Sequence, residues 1–154
     1  MWRGRSLWSL WAARRARRAA TGFVWPFLQR SSRLRGPLAS ANWSDPYVAG
    51  FVTTLITTIA REASGGLDEG ALGLVQLESW SQLTHVDPAM IGERILSLSL
   101  AEDADFALGC RNALIFRRTL LQSEAARLPT AEQVEPETAQ LWDQMIGDRL
   151  IAGG

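Results

Sequence analysis

The chain has 154 residues, with sixteen arginines, no lysine and sixteen acidic residues, so its formal net charge is zero. The charges are unevenly placed: residues 1–44 carry nine arginines and no acid, whereas residues 45–154 carry seven arginines and all sixteen acids. One cysteine and one histidine exclude an intramolecular disulfide and a zinc site built from several cysteines.

We predict that residues 1–44 form a separate, largely disordered or interfacial arm ahead of an acidic helical domain at residues 45–154. Pro26 and Pro37 should confine any helix in the arm to about residues 6–20, because proline interrupts helices. The small, polar stretch from Gly36 to Ser44 is typical of a linker. Five of the seven tryptophans lie in this segment, at positions 2, 8, 11, 25 and 43.

Four interpretations of the arm remain open. Trp favours headgroup depth and Arg favours anionic lipid, which suits an interfacial attachment to a membrane. The same side chains suit RNA, through phosphate pairing and base stacking. The third interpretation is a targeting segment, which would be rich in Arg and Ser. The fourth is a poorly ordered tail or an over-extended start in a GC-rich reading frame. The predicted polyanion or membrane contacts are Trp8, Trp11, Arg14, Arg15, Arg17 and Arg18.

The clearest helical signal begins at Asp45. A capping acid followed by proline at the first helical position is typical of a helix start, and the glycines at 65 and 66 should end the helix. Apolar residues recur with helical spacing between these limits. They are Val48, Phe51, Val52, Leu55, Ile56 and Ile59, and the opposite face carries Gly50, Thr53, Thr54, Thr57, Thr58 and Arg61.

The uncharged run from Pro46 to Ala60 covers fifteen residues. A helix needs about 20 apolar residues to cross a membrane, so this run is too short. Its β-branched residues favour a strand, but the match of every apolar position to a helical stripe favours a helix. We therefore predict a buried core helix and no transmembrane span.

Three or four more helices are predicted in the body. They begin near Asp68, at Asp87-Pro88, at a capping box formed by Ser99 and Glu102, and near Glu137. The third of these should run to about Arg127, the last should include Leu150, and the chain end from Ala152 should be unstructured. The fold class is thus all-α, a small bundle of four to five helices. Because every apolar stripe in this interpretation lies after residue 45, residues 42–154 should fold without the arm.

No combination of residues indicates catalysis. His85 is the only histidine and lies in a predicted turn without a nucleophile beside it, whereas a general base needs such a partner. Cys110 falls on an apolar stripe, as expected for an inert buried thiol. The acids Glu102, Asp103 and Asp105 are accounted for by the favourable interaction of acids with a helix N-terminus. We expect no catalytic residue, no cofactor and no metal.

The sequence favours a small, non-catalytic helical accessory protein whose acidic body binds a protein partner. The alternative is binding of RNA or another polyanion, or attachment to an anionic membrane, through the arm. A single unpaired thiol fits a reducing compartment, so a cytoplasmic location is expected, with an organelle or a membrane surface as alternatives. The acidic body argues against DNA as a partner.

The predicted stripe can be tested by truncating side chains on its two faces. Val52→Ala and Leu55→Ala should each lower the free energy of unfolding by about 2–4 kcal/mol, because they remove buried side chains. Thr54→Ala and Thr58→Ala should be nearly neutral. Urea denaturation of the four variants measures this, and equal losses on both faces would indicate a strand or a segment buried on all sides.

Overall fold

The computed structural model describes residues 7–123 and 135–153, and the regular secondary structure within these ranges is helical. The all-α prediction is confirmed, with one helix more than the four to five expected. The described residues contain six α-helices: α1 Leu7–Arg35, α2 Pro46–Ser64, α3 Glu69–Thr84, α4 Pro88–Leu100, α5 Ala104–Gln122 and α6 Pro136–Met145. Short 3-10 helices lie at Ser40–Ser44 and Gly147–Arg149.

Helix α2 lies at the centre of the bundle, where α1, α3 and α5 all pack against it. It begins as predicted, because the Asp45 carboxylate accepts the backbone N–H of Val48 at 3.0 Å. Gly65 ends it in the left-handed conformation, with φ of 69°. Val52 and Leu55 are completely buried, which confirms the predicted core positions.

The face of α2 opposite the apolar stripe is less exposed than predicted. Thr53 is buried, and its hydroxyl accepts a hydrogen bond from the indole Nε1 of Trp80 at 2.9 Å. Thr54, Thr57 and Thr58 are half-buried. The amphipathic interpretation was therefore incomplete, because α3 covers part of the face that was expected to meet water.

Two glycines allow α2 and α5 to cross at backbone contact. A Cβ atom on Gly50 would collide with the carbonyl oxygen of Phe106, and one on Gly109 would collide with the carbonyl oxygen of Tyr47. Glycine removes the side chain that would otherwise separate the two backbones. The crossing therefore places the neighbouring aromatic side chains of both helices in one core.

Helix α1 is the main departure from prediction: it is an ordered helix packed against α2 and α3, not a disordered arm. Its inner face contributes to the main hydrophobic core, so the expectation that the core lies wholly after residue 45 was wrong. The change in composition near residue 44 is not matched by a gap in the core. The buried residues of α1 are Ala16, Ala20, Phe23, Val24, Pro26, Phe27, Leu28 and Ser31.

Pro26 lies inside α1, so the expected helix end near residue 20 was also wrong. Proline has no N–H and leaves the carbonyl of the residue four positions earlier without its helical partner. That residue is Gly22, which is exposed and has open space around it, so water can bond to its carbonyl. The Pro26 ring is buried, and this burial offsets part of the lost hydrogen bond.

The predicted linker and the predicted unstructured C-terminus are joined to each other. Leu38 forms an isolated antiparallel bridge with Ala152. The buried Asn42 side chain donates to the Ile151 carbonyl at 2.7 Å and accepts the Ile151 N–H at 2.8 Å. Trp43 is buried beside Trp80, with ring centroids 6.0 Å apart. Both predictions were wrong, because each segment supplies the backbone partners of the other.

Three further helices begin at an aspartate. Asp68 and Asp87 cap α3 and α4, as the sequence indicated. The prediction that Ser99 and Glu102 form a capping box for α5 was wrong. Asp103 caps this helix, and its carboxylate accepts the Phe106 N–H at 2.9 Å. Glu102 instead lies in the turn before α5, with a positive φ of 51°.

The last part of the bundle was predicted less well. Helix α5 ends at Gln122, and the expected end near Arg127 lies outside the described residues. Helix α6 begins at Pro136, one residue before the predicted start. It stops at Met145, and the final turn to Leu150 is a 3-10 helix. The side chain of Leu150 is nevertheless buried, as its place in the stripe indicated.

The glycine crossing gives a direct test of the fold. Gly109→Ala should lower the free energy of unfolding by about 1–3 kcal/mol or more, because the added methyl overlaps backbone atoms of α2. Gly73→Ala in α3 is the matched control: its Cβ meets nothing within 4 Å, and alanine favours a helix over glycine by up to about 1 kcal/mol. Thermal and urea denaturation measure the stability of both variants. Equal changes in the free energy of unfolding would contradict the close crossing of α2 and α5.

Deletion of α1 tests its place in the core. Truncating one buried phenylalanine costs about 3–5 kcal/mol, against a total stability of about 5–15 kcal/mol for a typical domain. Deletion of α1 removes several buried side chains at once, so the summed loss should exceed the stability of the domain. Residues 42–154 should therefore melt without a cooperative transition. In the full chain, Phe27→Ala should be strongly destabilising and the exposed neighbour variant Trp25→Ala should not. A sharp two-state transition for residues 42–154 would restore the interpretation of α1 as a separate arm.

Candidate functional site

The residues that most often carry chemistry are dispersed. His85 is exposed at the C-terminal end of α3, in the left-handed conformation with φ of 60°, and its ring has no polar partner among the described residues. Cys110 is half-buried on α5, beside the crossing with α2. Across residues 7–123 and 135–153, no group of three or more His, Cys, Asp or Glu side chains is arranged to hold a metal ion.

The arginines of α5 differ in their surroundings. The Arg117 guanidinium pairs with Glu62, with an Nη2–Oε2 distance of 2.6 Å, and lies 4.8 Å from the centre of the Phe23 ring. It therefore joins α5 to both α1 and α2. Arg111 and Arg118 are exposed, and Arg127 lies outside the described residues.

The most distinctive surface is the outer face of α1. At about 100° per residue, positions 7, 8, 11, 14, 15, 18 and 25 project on the side opposite the buried stripe. Trp8 and Trp11 are 77% and 74% exposed, which is unusual for large aromatic side chains. We call this surface the Trp–Arg face; it consists of Leu7, Trp8, Trp11, Arg14, Arg15, Arg18 and Trp25.

Two of the four arginines in the predicted basic block contact the rest of the protein. The Arg17 Nη1 atom pairs with Glu78 of α3 at 2.8 Å. The Arg15 Nε atom donates to the carbonyl of Ala63, near the end of α2, at 3.0 Å. Arg14 and Arg18 are exposed, and their guanidinium groups have no hydrogen-bond or ion-pair partner among the described residues. The structure therefore divides the block into anchoring and solvent-facing arginines.

The charge asymmetry of the sequence is partly neutralised within the molecule. Arg30 forms a bidentate pair with Asp143 of α6, at 2.8 and 3.0 Å. Arg35 pairs with Asp148 at 2.7 Å. With the Arg17 pair, three arginines of α1 bind acids of the body. Such partly exposed pairs contribute about 0–1 kcal/mol each, so they orient α1, while its buried face holds it in place.

A cleft opens between the first turns of α1 and the end of α2. Its volume is about 360 Å³, within the size range of small-molecule sites. The surface inside is mostly apolar, and the Arg15 guanidinium is the only charged group among its described lining residues. The cleft is lined by Leu7, Trp8, Trp11, Ala12, Arg15 and Ser64.

The structure thus brings together part of the predicted contact set. Trp8, Trp11, Arg14 and Arg18 share one exposed surface, whereas Arg15 lies at its edge and Arg17 is directed toward α3. Sequence reasoning missed the half-exposed Trp25, which lies on the same face four turns after Trp11. Helical spacing continued through Pro26 could have found it. The surface combines aromatic rings with unpaired guanidinium groups, a combination that binds anionic surfaces.

None of the helices in the described ranges combines the length and the apolarity needed to cross a lipid bilayer. No protein-family model, curated protein or solved structure matches the chain.

Proposed function

We propose that this chain is a small, non-catalytic helical protein that attaches to anionic membrane surfaces through the Trp–Arg face of α1. The observation that carries the proposal is the exposure of about three quarters of the Trp8 and Trp11 side chains beside the unpaired guanidinium groups of Arg14 and Arg18. Tryptophan rings partition to headgroup depth, and each arginine near an anionic surface contributes about 1 kcal/mol. The face therefore has both components of peripheral attachment.

The fold supports attachment because the binding helix is already formed. The inner face of α1 is fixed in the core by residues such as Phe27, so docking requires no coil-to-helix transition. A preorganised surface loses less conformational entropy on binding than a disordered arm. The Trp–Arg face can therefore lie along a membrane while the rest of the bundle stays folded.

Two acids that lie beside Arg14 and Arg17 do little to oppose docking. Glu78 is neutralised by Arg17, and Asp68 is engaged as the cap of α3, where it accepts the Ala71 N–H at 2.7 Å. Charges more than about 8 Å from the surface are largely screened at physiological ionic strength. If the expected cytoplasmic location holds, the target is the anionic cytoplasmic leaflet.

A protein partner for the acidic body is the second candidate, as the sequence first indicated. The observation in its favour is the outer face of α4, where Leu96 and Leu100 are one turn apart and 60% and 76% exposed. Met90, near the start of the same helix, is also exposed. Exposed apolar groups of this kind are common in docking surfaces.

Attachment can be measured by co-sedimentation with vesicles at low salt. The full chain should sediment with vesicles that contain phosphatidylserine and stay in solution with neutral phosphatidylcholine vesicles. Arg14→Gln/Arg18→Gln should weaken the partition coefficient about 30-fold, from two contributions of about 1 kcal/mol. Arg15 and Arg17 are left intact because they bond to α2 and α3 and help to orient α1.

The matched control is Arg111→Gln/Arg118→Gln, which removes the same charge from exposed positions on α5. This variant should sediment like the parent chain. A parent chain that remains in the supernatant, or equal losses in the two variants, would contradict attachment through α1. Binding of RNA with a steep salt dependence, without vesicle binding, would indicate instead that the face recognises a nucleic acid.

A further inference from the structure

The cleft at the edge of the Trp–Arg face is a concave site, whereas the rest of that face is a convex helix surface. Trp8 and Trp11 border it on one side, and Ser64 marks the end of α2 on the other. Its interior is mostly apolar, so water inside it gains few hydrogen bonds. An apolar chain in such a space would remove aromatic and aliphatic surface from water, which is favourable in proportion to the area buried.

Arg15 gives the cleft a charged edge with a fixed orientation. Its Nε atom is held by the Ala63 carbonyl at 3.0 Å. Its two Nη groups have no hydrogen-bond partner among the described residues. A guanidinium fixed through Nε can present both Nη groups to a phosphate or carboxylate, which it binds in a bidentate manner.

The charges around the opening select the sign of the ligand. Arg14 and Arg18 are exposed on the next turns of α1, and neither is neutralised within the described residues. Glu62, near the end of α2, is paired with Arg117, and Glu78 of α3 is paired with Arg17. The opening is therefore positive, and the complementary occupant is an apolar chain that ends in an anionic group.

We propose that this cleft binds one acyl chain of an anionic membrane lipid, with the headgroup phosphate paired to Arg15. The proposal rests on the membrane attachment proposed above and adds a stoichiometric lipid site to it. Trp8 and Trp11 then have two roles, since they border the chain and also lie at headgroup depth. Attachment would depend on one lipid held by the protein as well as on the general charge of the surface.

The probe is monomeric dodecyl phosphate, used below its critical micelle concentration with the full chain and measured by isothermal titration calorimetry. We expect saturable binding of one molecule per chain. Inorganic phosphate, which lacks the chain, should not compete at the same concentration. Dodecyltrimethylammonium, which has the opposite charge, should not bind.

Two variants and one control locate the site. Trp8→Ala should weaken binding at least tenfold, and Ala12→Phe should abolish it by filling the cleft. Trp25→Ala is the control, because it removes an exposed ring from the same face but about 25 Å farther along the helix. It should bind like the parent chain.

The circular dichroism spectrum and melting temperature of each variant show whether it is folded. If Ala12→Phe does not fold, Trp8→Ala alone tests the site.

The outcomes separate this proposal from the general attachment. If the parent chain sediments with anionic vesicles but dodecyl phosphate does not bind at one site, the cleft proposal is wrong and the attachment stands. The cleft proposal is also wrong if Trp25→Ala weakens dodecyl phosphate binding as much as Trp8→Ala does. If dodecyl phosphate binds at the cleft but the chain does not sediment with anionic vesicles, the proposed lipid site stands and the proposed membrane attachment is wrong.

Discussion

The structure depends on a cluster of aromatic rings contributed by four helices. Phe27 of α1 stacks on Trp142 of α6, with ring centroids 4.9 Å apart and planes inclined by 21°. Phe116 of α5 meets Phe27 edge-on at 5.6 Å, and Phe51 of α2 completes the cluster, 6.0 Å from Trp142. All four side chains are fully buried. Aromatic contacts add about 0.5–1.5 kcal/mol each beyond their buried area, so loss of any one helix would expose the rings of the others.

Helix α2 could be predicted from the sequence because its signals are local. The Asp45 cap, the apolar stripe and the final glycines all lie within one segment. Helix α1 could not be predicted in the same way, because alanines form part of its buried face and Pro26 interrupts its hydrogen bonding. Its stability comes from tertiary partners far along the chain, such as the Ser31 hydroxyl that accepts the Trp142 Nε1–H at 3.0 Å. Packing of this kind routinely overrides local propensity.

The candidate site was predicted in composition but not in geometry. The sequence identified the Trp and Arg side chains, yet it treated the basic block as one unit. Arg15 and Arg17 bond to Ala63 and Glu78, which lie 48 and 61 residues away in sequence, and no local pattern reveals partners at such distances. Fixing the inner face of α1 also fixes which side chains reach solvent. The same packing that buries Phe27 therefore defines the Trp–Arg face and the cleft at its edge.

The central claim is that α1 is a core helix of this bundle, with one face buried and one face available to a partner. Hydrogen exchange of the backbone amides in the full chain tests it most directly, because core amides exchange only through global unfolding. The account predicts that amides at residues 23–28, apart from the proline, exchange as slowly as those of residues 51–56 in α2. Amides of residues 23–28 that exchange fully within seconds, while those of α2 remain protected, would contradict it.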